Sequence, residues 1–259
     1  MHVKEAGHEV AREFARSTHA QVLADVPGAL FSYWSAHSQD EFPCIPRDAS
    51  FFAQAAEGMV TFFDLAAAAR KPCALPSRAA DSVWHAWLRM DAAGLQRFCI
   101  RHFGKIVPHV ERAQMSAGIG EAMAMCLVQA RRRAAKPPAG THLPRLFSLD
   151  SRLGMPFGFG YRIVGGLVAY CALDVFGNPD DRMVFPEALA PESLALLGLV
   201  GKQEYDDAMR QARLRDDRPG GGAAWSSAAE SGADGSDGGS GGDGGGSCGG
   251  GCGGGGCSS

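Results

Sequence analysis

The sequence lacks the features that mark membrane, secreted and nucleic-acid-binding proteins. It has no apolar run of the ~20 residues that a membrane-spanning helix needs, and charges throughout its first residues leave no apolar core for a secretion signal. The longest apolar stretch, 163–173, is short and contains glycine, so we expect a buried strand there. The formal net charge of −3 gives no general attraction to nucleic acid or to an anionic membrane. We therefore expect a cytoplasmic protein with no membrane span, whose partner is another protein rather than nucleic acid.

Apolar side chains are also scarce at the C-terminal end of the chain. Glycine and serine dominate residues 220–259, and side chains that could form a core almost vanish after Trp225. Ordering each such residue costs roughly 1–2 kcal/mol of backbone entropy with little burial to offset it. We therefore predict a disordered tail over 220–259. A proline-rich linker divides the rest into a helical domain over 1–135 and a small β/α extension over 145–219.

Helical periodicity dominates the first of these two parts. Apolar side chains at helical spacing, with suitable capping residues, predict the following helices: 4–24, a short helix opened by Pro27, 48–70, 81–90, 92–103 and 116–134. β-Branched and aromatic residues at 146–149 and 161–176 predict a small β element, and a last helix is expected over 191–215. The predicted fold class is mainly α with a minor β element.

One helical segment concentrates the residues that can carry chemistry. Asp81 and His85 are four positions apart, so a helix places both on one face, where the carboxylate can orient the imidazole. Cys99 and His102 share the buried stripe of the following helix and could form a soft-ligand pair. His109 follows that helix closely enough to fold back toward His85. These residues predict either a structural polar cluster or a site for an ion such as Zn²⁺, although their spacing matches no tight zinc signature.

The same segment resembles the hallmark of the glycine-rich domain-containing proteins of plants and bacteria. Their pattern is roughly Pro-Ser-x-x-Val-Asp-x-x-Trp-His-x-His, followed by Tyr-x-x-Phe-Cys and then Phe-Gly with a His five residues on. The matching positions are Pro76, Ser77, Asp81, Trp84, His85, Phe98, Cys99, Phe103, Gly104 and His109. The family's Val, second His and Tyr are replaced by Ala80, Trp87 and Leu95. The resemblance implies no established enzymatic activity, and the family's links to RNA binding involve added domains.

The resemblance and the residues together favour a non-enzymatic binding or interaction module, in which Asp81, His85 and His109 form a polar cluster. The alternative is a metal-dependent hydrolytic enzyme. In that case the three residues hold one ion and leave an open coordination position for water. The two readings differ in the geometry of the cluster, because an enzyme needs ligand atoms that converge on one point with access from solvent.

The tail offers a further alternative. It contains three thiols at steps of four and five residues, namely Cys248, Cys252 and Cys257. Three thiolates on a flexible backbone could capture Zn²⁺ or Cu(I), although ordering the surrounding glycines opposes this. A thiol or metal-binding role of the tail therefore stays open at the level of the sequence.

Overall fold

The computed structural model describes residues 2–109, 118–134, 143–165, 167–203, 205–206 and 209–210. Its helices are α1 (His2–Arg16), α2 (Ala20–Leu23), α3 (Gly28–His37), α4 (Ala49–Ala68), α5 (Arg78–Phe103), α6 (Ile119–Arg133), α7 (Leu149–Leu153) and α8 (Pro191–Leu196). Strands β1 (Phe159–Val164) and β2 (Leu167–Ala172) form an antiparallel hairpin. The predicted fold class is confirmed for this part of the chain. The tail over 220–259 and most of the proline-rich linker lie outside the described residues.

Helix α4 lies at the centre of the core, as its broad apolar stripe predicts. Asp48 caps it, because its carboxylate accepts a hydrogen bond from the backbone N–H of Phe51 at 2.9 Å. The helix packs on α5 and on α1. Helix α4 approaches α5 and α7 closely at Gly58, where an added Cβ would lie 3.3 Å from Ala80 of α5 and 2.3 Å from Leu149 of α7. This close packing holds α5 and its functional face in a fixed position.

Helix α5 confirms the prediction of two helices over 81–90 and 92–103, with an earlier start at Arg78. Its two helical segments meet at Asp91, which has non-helical angles, φ −159° and ψ 81°. The Asp91 carboxylate accepts a hydrogen bond from the backbone N–H of Gly94 at 2.8 Å, as expected of a cap. The chain therefore kinks at Asp91, which caps the second helical segment of α5.

The β element packs on the helices and does not stand apart from them. Phe147, Tyr161 and Val168 belong to the same buried cluster as the core residues of α4 and α5. The expectation of one buried strand over 163–173 is wrong, because a turn with Gly165 at φ 56° divides this stretch between β1 and β2. The expectation of strand at 146–149 is also wrong: residues 146–148 form turns, and Leu149 begins α7.

Two further helix predictions are corrected at their ends. The stretch 4–24 is interrupted after α1, where the Ser17 hydroxyl accepts from the His19 backbone N–H at 3.0 Å and donates to Glu57 at 2.7 Å. The helix expected over 191–215 is interrupted: α8 ends at Leu196, Gly198 adopts φ 64°, and the described residues from Lys202 to Arg210 are helical again. Within the described ranges, no helix combines the length and apolar character needed to cross a bilayer.

A buried carboxylate ties the start of α5 to the β element. Asp150 accepts hydrogen bonds from the Ser77 hydroxyl at 2.6 Å and from the backbone N–H groups of Arg78, Ala79 and Phe159 at 2.9 to 3.0 Å. Burial raises the pKa of this carboxyl above its ordinary value, and the four hydrogen bonds oppose that rise. The bonds fix the first turn of α5, which carries the residues described next.

Candidate metal centre

Two of the candidate ligands lie on one face of α5 and the third returns to them from beyond its end. Asp81 and His85 lie one helical turn apart, and the helix is capped by Ser77, whose hydroxyl accepts from the Ala80 backbone N–H at 3.2 Å. Gly104 ends the helix at φ 74°, a left-handed conformation that favours glycine. The chain then reverses, and it brings His109 back against His85, as predicted from the sequence.

Three ligand atoms converge at this point. The Nε2 atoms of His85 and His109 are 2.8 Å apart, and they lie 3.5 Å and 3.3 Å from Oδ1 of Asp81. Ligands in a tetrahedral zinc site stand about 3.3 Å apart when each bond is about 2.0–2.1 Å long. Two of the three separations match that value, and the third requires the imidazole rings to part by about half an ångström. Two imidazoles and a carboxylate are also a donor set that suits Zn²⁺ and other divalent transition metals.

A fourth residue sets the orientation of His85. The Nδ1 atom of His85 lies 2.6 Å from Oε1 of Glu41, and Glu41 is in turn held by Arg89. An Nδ1–H that donates to Glu41 leaves the lone pair of Nε2 directed at the convergence point. This carboxylate–imidazole arrangement is the one that metal-binding histidines in proteins commonly show.

Aromatic side chains contact the imidazole rings of both His85 and His109. His109 meets Trp84 edge-on with ring centroids 4.5 Å apart, and His85 meets Phe42 edge-on at 5.7 Å. Trp84 itself is buried at 4 % exposure. The two imidazole rings therefore pack against aromatic side chains, while both histidines remain partly exposed.

The cluster opens onto a cleft of about 690 Å³. The side chains of His85, His109 and Asp81 are 21, 18 and 33 % exposed, so they are accessible from solvent. A sealed polar cluster, which is the structural reading of these residues, would have far lower exposure. The geometry thus meets both conditions for an open metal site, namely converging ligand atoms and a path from solvent.

The other candidate residues stay outside this cluster. His102 lies beside Asp25, with Nε2 3.0 Å from Oδ2, and its ring contacts Phe98. Cys99 is buried, and burial raises the pKa of its thiol while a hydrogen bond from the Val107 backbone opposes the rise. A protonated thiol is a poor ligand. The tail thiols Cys248, Cys252 and Cys257 lie outside the described residues.

Sequence reasoning missed Glu41, which lies 40 residues before Asp81 in a loop with two prolines. Its signal in the sequence is one of two adjacent acidic residues before a proline-containing stretch, which is typical of a solvated loop. Only the packing of α3 against α5 brings this loop to His85. One contact in that packing is the Trp34 indole N–H donating to the Ser82 hydroxyl at 3.0 Å.

Part of the chain is similar to one protein family. A family model described as UCP032817-like matches residues 46–170, a stretch that contains Asp81, His85 and His109 but not Glu41. No curated protein and no solved structure matches the chain. The chain is thus similar to this family over α4, α5, α6 and the hairpin as far as Tyr170.

Proposed function

We propose that this protein binds one divalent metal ion, with Zn²⁺ as the best fit, through Asp81, His85 and His109, and that it is a metal-dependent hydrolytic enzyme. The observation that carries the proposal is the convergence of the three ligand atoms, all within 4.8 Å of one another, at the edge of an open cleft. Three protein ligands with a free fourth position are typical of catalytic zinc sites, whereas structural sites have four protein ligands.

The residues around the site support this chemistry. Glu41 holds the His85 ring so that Nε2 faces the ion, and Trp84 and Phe42 fix the planes of the two imidazoles. A bound zinc ion would lower the pKa of its water ligand to about 7, which supplies hydroxide at neutral pH. The resemblance to the glycine-rich domain-containing proteins is compatible with this proposal, because the residues that carry it include all three ligands.

The test is the metal content of full-length protein in which the three tail cysteines are replaced by serine. We expect about one equivalent of zinc by elemental analysis, lost on His109→Ala and kept on His37→Ala. His37 is a matched control because it is an exposed histidine that contacts Tyr33 and Asp40 and does not line the cleft. Equal metal content in the His109→Ala variant would overturn the metal centre.

A second readout separates an enzyme from a binding module. The zinc-loaded protein should hydrolyse a 4-nitrophenyl ester of acetic or phosphoric acid faster than the His109→Ala variant. A protein that binds one zinc ion at this site but hydrolyses neither ester above that background would be a metal-binding interaction module instead.

A further inference from the structure

The cleft beside the candidate metal centre carries an excess of basic side chains. Four basic residues line it, namely Arg70, Lys71, Arg78 and Lys105. The two acidic residues that line it are both engaged, since Glu41 pairs with Arg89 and His85, and Asp81 faces the two histidines. A divalent ion bound at Asp81 would make the local charge more positive still. The electrostatics of the cleft therefore favour an anionic ligand.

Arg78 is the basic residue best placed to contact such a ligand. It lies three positions before Asp81 on α5, so both side chains emerge on the same face of the helix. Its guanidinium lies 5.5 Å from the centre of the Phe42 ring, which also contacts His85. Arg78 thus borders the metal centre on the side of the helix N-terminus.

The guanidinium of Arg78 has unsatisfied hydrogen-bonding capacity. Its Nε atom is buried and has no hydrogen-bond partner, and no carboxylate among the described residues pairs with its side chain. A buried donor without a partner costs free energy, and arginine presents its N–H groups in a planar fork that matches carboxylate and phosphate oxygens. A ligand with such oxygens in the cleft would give the guanidinium of Arg78, which lines it, an anionic partner.

The rest of the cleft is suited to an apolar body. Phe62, Tyr161 and Tyr170 line it together with Phe42. Its volume of about 690 Å³ lies within the range of roughly 300–1,000 Å³ that is typical of small-molecule sites.

We infer that the substrate of the proposed metal enzyme is a small organic anion, whose carboxylate or phosphate group lies between Arg78 and the metal. Its apolar part packs on the aromatic side chains that line the cleft, Phe42, Phe62, Tyr161 and Tyr170. This inference rests on the proposed function for the metal, whereas the contact with Arg78 does not depend on it.

The test is isothermal titration calorimetry on zinc-loaded and on metal-free full-length protein. The probes are phenyl phosphate, benzoate and the neutral benzamide, and the variants are Arg78→Gln, Arg78→Lys and Arg162→Gln. Arg162 is a matched control because it is exposed on β1 and does not line the cleft. Zinc content and the thermal unfolding midpoint of each variant show that its site and fold are intact.

We expect phenyl phosphate or benzoate, but not benzamide, to bind the zinc-loaded protein, and the stronger of the two distinguishes a phosphate from a carboxylate substrate. Arg78→Gln should weaken that binding by about tenfold or more, Arg78→Lys by less, and Arg162→Gln not at all. Equal binding by wild type and Arg78→Gln, or no binding of either anion, would overturn the inference. Arg78-dependent binding to protein that takes up no zinc would instead refute the metal centre and keep the anion site.

Discussion

At the scale of single residues, the candidate site depends on which nitrogen of the His85 imidazole carries the proton. Glu41 accepts from Nδ1 of His85, and this places the lone pair of Nε2 at the convergence point with His109 and Asp81. Arg89 keeps Glu41 in position. In the proposed metal centre, Glu41 would thus position a ligand rather than bind the ion.

Replacing Glu41 by glutamine should weaken zinc binding while leaving the fold unchanged. Glutamine keeps the shape and one acceptor oxygen but loses the charge that strengthens the bond to His85, and loss of such partners typically costs about 10–100-fold in metal affinity. Competition with a chromophoric chelator would measure the affinity. The neighbouring Asp40→Asn serves as control, because Asp40 is exposed and faces His37. An affinity equal to that of wild type in Glu41→Gln would show that the carboxylate does not orient the ligand.

A second residue of the cleft gives a prediction about pH. Burial raises the pKa of the Cys73 thiol to about 11, and nearby Lys105 only partly opposes the rise. Only the thiolate reacts with iodoacetamide, so we expect alkylation of Cys73 in the native protein to accelerate about tenfold per pH unit between pH 8 and 10. Mass spectrometry of the peptide that contains Cys73 would follow the rate. A rate that levels off near pH 8.5, as for a free thiol in urea-denatured protein, would contradict this assignment.

At the scale of secondary-structure elements, the contact between α4 and α5 determines where the ligands of α5 stand. Gly58 permits α4 to pack closely on α5 and on α7, because a Cβ at this position would lie 3.3 Å from Ala80 of α5 and 2.3 Å from the Leu149 side chain of α7, which is itself buried at 4 % exposure. Glycine inside a helix normally reduces stability relative to alanine. Here the packing reverses that preference.

Two glycine-to-alanine substitutions should therefore change stability in opposite directions. Gly58→Ala should lower the free energy of unfolding by roughly 1–3 kcal/mol, because the methyl group overpacks the core. Gly7→Ala should raise it by about 0.5–1 kcal/mol, because Gly7 is exposed in α1 and an added Cβ meets nothing within 4 Å. Urea unfolding of both variants measures the difference. A gain in stability from Gly58→Ala would show that Leu149 moves aside easily.

Helices and strands could be predicted from the sequence where the apolar pattern and the capping residues agree. The apolar stripe and Asp48 cap of α4, and Gly104 at the end of α5, are visible in the sequence because they act over a few residues. The hairpin register and the turn at Gly165 were not predicted, because a continuous apolar run fits one buried strand as well as two. The break within α5 at Asp91 was predicted, because an aspartate before a helical segment is a typical cap.

At the scale of the whole molecule, the sequence predicts three residues of the candidate site but not Glu41 or Arg78. Asp81 and His85 share a helix face, and His109 lies a short distance beyond it, so local geometry suffices to group them. Glu41 and Arg78 acquire their roles only from packing: Glu41 arrives with the loop after α3, and Arg78 is defined by the unpaired Nε that the fold leaves. Contacts between distant segments have no periodic signal in a single sequence.

We propose that Asp81, His85 and His109, rather than the tail cysteines, hold the metal. The elements of the ligand atoms distinguish these two possibilities directly. Zinc bound by Asp81, His85 and His109 has only nitrogen and oxygen neighbours at about 2.0–2.2 Å, whereas zinc bound by Cys248, Cys252 and Cys257 has sulfur at about 2.3 Å. X-ray absorption spectroscopy at the zinc edge, on full-length protein with one equivalent of zinc, separates the two shells. The proposed site predicts a first coordination shell of nitrogen and oxygen atoms, together with outer-shell scattering from the two imidazole rings. A dominant sulfur shell would contradict it and move the metal to the tail.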